Sequence, residues 1–277
     1  MTTKAKCSRS GHKTLEGIRR AGFENVMIDQ WGDRNLKRFI SIARENGLKI
    51  PFVHMDCYDI SSIWTPCEKQ QSFMNYAEDT IRTCGENDIE TVVLHPAYDR
   101  IECPPNSIGL DNMAQLVKTA EASGIKIALE NVDRNALPHF EHLLKEINSS
   151  HFGFCFDSGH WNLYTPEKDF LEKYGNRLMA IHINDNFGPQ GNPEPTWHDD
   201  LHLLAFDGAI DFDKVAKAIA KSDYNGPVML EAHRSTKFGD YVGLPPKYFL
   251  DAAHNRAEKL SKMIQKYRTD ELTLLNS

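Results

Sequence analysis

Long hydrophobic runs are missing from this chain. No stretch approaches the roughly 18 apolar residues that a membrane-spanning helix needs. The opening residues MTTKAKCSRSGHK contain nothing like the apolar core of a signal peptide, so we expect a cytosolic protein with no membrane partner. Cysteine is sparse: six residues, at 7, 57, 67, 84, 103 and 155, with no C-x-x-C pair. That excludes a zinc knuckle and a thioredoxin-type motif, and in a chain of this length it points to reduced thiols. Positive charge is in deficit, with 32 Lys and Arg against 39 Asp and Glu and a formal net charge of −7. The balance speaks against a protein held on DNA or an anionic membrane. A Gly-rich dinucleotide fingerprint and a Walker motif are also missing, as is any Pro/Gly/Ser-rich linker or charge block.

What is present is ordinary soluble material, 40% hydrophobic and 26% charged over 277 residues, enough for one barrel of common size. Short continuous apolar runs recur: Asn25 to Asp29, Lys49 to Met55, Thr91 to Pro96, Lys126 to Glu130, Phe152 to Asp157, Leu178 to Ile183 and Pro227 to Glu231. Runs of this kind suit strands buried on both faces. An eighth strand is expected near Lys4 to Ser8. Between the runs, Leu36, Phe39, Ile40 and Ala43 repeat at helical spacing, as do Met113, Leu116 and Val117, and Val215, Ala218 and Ile219. Gly22, Gly47, Gly124 and Gly226 each precede a strand, where a helix would end on a left-handed residue. Pro245 to Tyr267 reads as a closing helix, with a tail from Arg268. Alternating strands and helices predict a parallel sheet with right-handed crossovers. Eight units close most simply into a single-domain (β/α)8 TIM barrel over residues 1–277; a doubly wound open sheet is the alternative.

Barrel active sites lie at the C-terminal strand ends. Here His54, His95, Glu130, Asp157, His182 and Glu231 end successive strands, with only the first two strands left out of the series. So many acids in one half-buried volume would repel one another, and a divalent cation would remove that repulsion. FDSGH (Phe156 to His160) places His160 one short turn beyond Asp157, aimed at the same mouth. In HIND (His182 to Asp185) the neighbouring polar groups could hold the second nitrogen of His182. Asp200 and His202 sit in a long loop, ending in DGAIDF, that would fold back over the pocket. Trp31, Trp64, Trp161 and Trp197 all follow strand ends and suggest an aromatic mouth able to stack on a sugar ring or nucleobase.

IALEN, FDSGH, HIND, DLHLL with DGAIDF, and VMLE resemble the successive motifs of the xylose isomerase-like TIM-barrel superfamily. That superfamily holds sugar and sugar-phosphate isomerases and epimerases, inosose-processing enzymes and endonuclease IV. The resemblance spans about Gly17 to Glu231. It implies that Glu130, Asp157, His182 and Glu231 bind a catalytic metal, with Mn, Co, Mg or Zn suited to such ligands. It also implies that Glu130 and Glu231 form the acid/base pair and that His160 contacts substrate. The expected activity is isomerisation or epimerisation of a sugar or sugar phosphate, by proton transfer through an enediolate. A cyclitol or keto-sugar dehydratase would share the first step, and a non-catalytic sugar-binding barrel is a further alternative.

The rival from another class is an endonuclease IV-like zinc phosphodiesterase. For this, His54, His95, Asp200 and His202 would supply additional metal ligands; in the sugar branch they would bind substrate or hold a loop. Against it, Ile60 to Glu68 and Asn186 to Pro195 carry no positive charge to grip a DNA backbone. Arg234, just past Glu231, is a candidate partner for a substrate phosphate. Outer helix faces of a barrel could support a homo-oligomer.

Overall fold

The computed structural model describes residues 2–3, 9–31, 34–98, 101, 103–192, 194–234 and 241–275. The apolar runs form strands β1 (Thr2–Thr3), β2 (Met27–Asp29), β3 (Phe52–His54), β4 (Thr91–Leu94), β5 (Lys126–Glu130), β6 (Phe152–Asp157) and β7 (Leu178–His182). They pair in sequence order, every neighbour parallel. Repeated right-handed βα units give this order, each one advancing the sheet by one place around a barrel. Pro227 to Glu231 takes the next place through one parallel bridge, Leu230 to Ile183. There the Glu231 N–H donates to Ile183 O at 2.9 Å. The first strand lies at Thr2–Thr3, and the predicted Lys4 to Ser8 lies outside the described residues.

Between the strands run α1 (Arg9–Arg20), α2 (Leu36–Glu45), α3 (Glu68–Gly85), α4 (Ser107–Ser123), α5 (Leu137–Glu146), α6 (Ser158–Tyr164), α7 (Phe170–Tyr174), α8 (Phe212–Lys221) and α9 (Pro246–Leu275). The predicted stripes face inward: Leu36, Phe39, Ile40 and Ala43 on α2, and Met113, Leu116, Val117 and Ala120 on α4 are buried. Each such Leu, Ile or Phe contributes about 1.5–3 kcal/mol by leaving water. Gly124 closes α4 in the left-handed conformation at φ 70°, as the glycine pattern predicts. Gly226 departs from that pattern, packed instead against the Tyr224 ring. The expected tail from Arg268 is also helical. RTDELTLL contains no Gly or Pro to stop α9, and Arg268 anchors it by donating to Tyr224 O. No helix among the described residues is long and apolar enough to cross a membrane.

Candidate metal centre

Parallel register sets the site. Asp29 pairs with His54 across β2 and β3, and Asp157 pairs with His182 across β6 and β7. Glu130 ends β5 one residue beyond the pairing of Leu129 with Leu94. Glu130, Asp157, His182 and Glu231 each offer a ligand atom, all within 4.8 Å of one another. All four are buried. His182 Nδ1 lies 2.9 Å from Glu231 Oε2 and 3.3 Å from Glu130 Oε1. Neither contact has the alignment of a hydrogen bond, so both His182 nitrogens and Glu231 Oε2 are left without a hydrogen-bond partner among the described residues. Burying such atoms unsatisfied costs about 1–3 kcal/mol each, and more for a charged group. A divalent cation at their focus would satisfy them, and a set of three carboxylates and one imidazole suits Mn²⁺, Co²⁺, Mg²⁺ or Zn²⁺.

Histidines crowd Glu130 from several sides. His54 Nε2 and His95 Nε2 approach Oε2 at 3.0 and 3.4 Å, and His160 Nδ1 approaches Oε1 at 3.2 Å. Three of the histidines share one arrangement. The Nδ1 atoms of His54, His160 and His202 bond to the backbone oxygens of Met55 (2.9 Å), Asn131 (3.1 Å) and Glu231 (2.7 Å). Once Nδ1 carries the proton, a neutral ring presents a bare lone pair at Nε2. Those Nε2 atoms face carboxylates: Glu130 for His54 at 3.0 Å, and Asp200 Oδ2 for His160 and His202 at 3.3 and 2.9 Å. Lone pair against carboxylate is repulsive unless a proton or a metal ion lies between, and a backbone carbonyl on Nδ1 is how metal-binding histidines are commonly oriented. Three further ligand groups occur among the described residues: His54 with Cys57 and His95, His54 with Glu130 and His182, and His160 with Asp200 and His202.

Protonation follows the same geometry. Burial would lower His54, His160, His182 and His202, but their neighbours outweigh it and raise all four: carboxylates for His54, His160 and His202, the last to about 9, and Cys155 ahead of Glu130 and Glu231 for His182. His95 is lowered, chiefly by burial. Burial and the charges of Glu130 and Glu231 push Asp157 up to about 6, while His160 opposes the rise. Burial would also raise Glu130 and Glu231, but the imidazoles hold both below the usual carboxylate range.

The HIND and FDSGH segments form a supporting frame. Asn184 Nδ2 donates to Asp157 Oδ2 at 2.9 Å, and Ser158 Oγ donates to Asn184 O at 2.6 Å. Gly159 is required because a Cβ there would fall 1.8 Å from Asn184 Oδ1. Asp185 accepts backbone N–H bonds from Asn186, Phe206, Gly208 and Ile210 at 2.8–3.1 Å, pinning the loop that carries Asp200 and His202. Asn184 and Asp185 therefore do not hold the second nitrogen of His182, as the sequence suggested; they position Asp157 and the loop.

A cavity of about 450 Å³ opens above the centre. Its walls include His54, His95, Glu130, His160, Asp200, His202 and Glu231, together with Trp31 and Trp197. The other two tryptophans do not line it, contrary to the sequence reading. Trp64 is buried in the core, its Nε1 donating to Pro96 O at 2.9 Å. Trp161 packs on Phe156 and donates to Lys168 O at 2.8 Å. Arg234 is likewise turned aside, its Nε donating to Leu244 O at 3.1 Å, and it is not part of the cavity wall. Asp29 and Tyr98 line the cavity without having been singled out, and His233, two residues past Glu231 and read from sequence as a rim residue, lines it too. Asp29 ends its strand as the other acids do, so the strand-end rule could have found it. His233 stacks on His202 at 4.3 Å, a contact with no sequence signal.

Comparison with known proteins yields a consistent set. A family model described as xylose isomerase-like TIM barrel matches residues 7–267. An uncharacterised Sinorhizobium fredii protein, y4fM, is 37% identical over 149 residues, covering 52% of this chain and 43% of its own length, so the chain spans less than half of that relative. A ketose 3-epimerase from Arthrobacter globiformis is 26% identical over 260 residues, covering 82% of this chain and 81% of that protein. Among solved structures, the IOLI protein with a bound zinc atom superposes with a TM-score of 0.70 at 19% identity, covering 92% of this chain and 93% of that one.

Proposed function

The chain belongs to the xylose isomerase-like TIM-barrel family, and from that premise and the strand-end geometry we propose a metal-dependent sugar isomerase or epimerase. The observation that carries this reading is the Glu130, Asp157, His182 and Glu231 group, with orphaned ligand atoms facing the floor of an open cavity. A bound divalent cation would supply Lewis acidity toward a sugar carbonyl and its neighbouring hydroxyl. The protein's own groups handle the proton. Glu130 and Glu231 both line the cavity and are both held ionised, so each is ready to accept a proton from carbon. Glu231 takes it on one side of the sugar, and Glu130, after picking up a proton from solvent in the cavity, delivers that proton from the other. Return to the same carbon from the opposite face inverts it; return to the neighbouring carbon shifts the carbonyl.

A second reading has its own observation. Two of the further ligand groups, His54 with Cys57 and His95 and His160 with Asp200 and His202, offer sites for additional ions, which an endonuclease IV-like phosphodiesterase would need. One experiment separates the two: metal analysis of purified protein, alongside ketose assays in deuterated water and cleavage of abasic-site DNA. A sugar acquiring solvent deuterium supports the isomerase; strand scission with about three zinc ions per chain supports the phosphodiesterase. Glu231→Gln is expected to abolish deuterium incorporation while the fold persists. Undiminished exchange in that variant would remove Glu231 from its role.

A further inference from the structure

We infer that Asp29 is a specificity-determining residue: it accepts hydrogen bonds from hydroxyls of an uncharged sugar that the metal does not chelate, while Trp31 and Tyr98 cover that end of the ring. This rests on the proposed sugar chemistry and narrows its substrate class to unphosphorylated sugars.

Three observations carry the assignment. Parallel pairing of Asp29 with His54 puts both side chains on one face of the sheet, and His54 points at Glu130. Asp29 thus looks into the cavity from a strand that supplies none of the four central ligands, and it is only 8% exposed. Its Oδ1 is oriented by the Trp31 N–H at 2.9 Å, its one hydrogen bond among the described residues. Among the described residues, that leaves most of its acceptor capacity for a ligand. Trp31 is 40% exposed and meets Tyr98 edge-on at 5.0 Å, so two aromatic surfaces adjoin the carboxylate. Sugar hydroxyls donate to a carboxylate, and the sugar's C–H face packs on aromatic rings. A phosphate at this end would bring two anions together in a semi-buried pocket, which is unfavourable.

The test uses the full chain loaded with Mn²⁺. Deuterium exchange and tryptophan-fluorescence binding would be measured on D-fructose, D-tagatose and D-psicose, their single-deoxy analogues and their 6-phosphates. Unphosphorylated ketoses should be preferred. Asp29→Asn should lower kcat/KM on the best ketose about 10- to 100-fold, mostly through KM, as expected for a hydrogen bond to a charged group. The loss should vanish for the deoxy analogue lacking the bonded hydroxyl, with metal content unchanged. If Asp29→Asn does not fold, Trp31→Ala should raise KM for the same ketose. Equal losses on every analogue, loss of metal, or preference for a phosphate would overturn the assignment and leave the isomerase reading standing. A metal-loaded protein that exchanges no sugar would overturn both.

Discussion

Asp185 shows how much one buried side chain can organise. Its two oxygens accept four backbone N–H groups, and Gly208 must be glycine because a Cβ there would lie 2.4 Å from Asp185 Oδ1. An asparagine keeps the shape but turns an NH₂ toward those donors. Asp185→Asn is therefore expected to cost about 2–3 kcal/mol and to speed amide exchange at Phe206, Gly208 and Ile210. Unchanged protection at those amides would show that the loop is held by other means. The strand-end acids and histidines were legible from sequence, since position alone marks them. The work of Asp185 was not, because backbone donors carry no residue identity.

At the scale of elements, helix α4 approaches the barrel closely enough that a Cβ on Gly109 would meet the Trp64 ring at 1.9 Å. Trp64 cannot retreat: its Nε1 bonds to Pro96 O and its ring lies edge-on to His139 at 4.5 Å. Gly109→Ala should destabilise the fold by about 1–3 kcal/mol through overpacking, read from the denaturant midpoint. Trp64→Phe in the same background should recover part of the loss if the ring is the obstacle. The apolar periodicity of α4 was plain in the sequence, but the seating of Trp64 beneath it was not. A tryptophan after a strand end fits a mouth or a core equally well until the neighbouring helix is in place.

For the whole molecule, protons and metal compete for one set of groups. His202, with an ordinary value of 6.5, is raised to about 9 in the folded protein. Between those values the metal-free folded state holds a proton that the unfolded chain has released. Its contribution to stability is thus complete below pH 6.5 and fades as pH rises to about 9. Metal uptake by the His160, Asp200 and His202 group would expel that proton, so affinity there should strengthen over the same interval. Chelated protein should show a falling melting temperature from pH 6.5 to about 9, and Zn²⁺- or Mn²⁺-loaded protein should not. Parallel profiles for the two forms would rule out a metal on the His160, Asp200 and His202 group.

The sequence by itself determined the alternation of strand and helix and the acid or imidazole at the ends of the third to eighth strands, because periodicity and residue type are local properties. Tertiary structure decided which of those groups face one another, that Trp64, Trp161 and Arg234 turn away from the cavity, and that Asp29 joins it. Those outcomes depend on strand register and on how closely neighbouring elements pack, and both arise only from contacts between residues far apart in the chain.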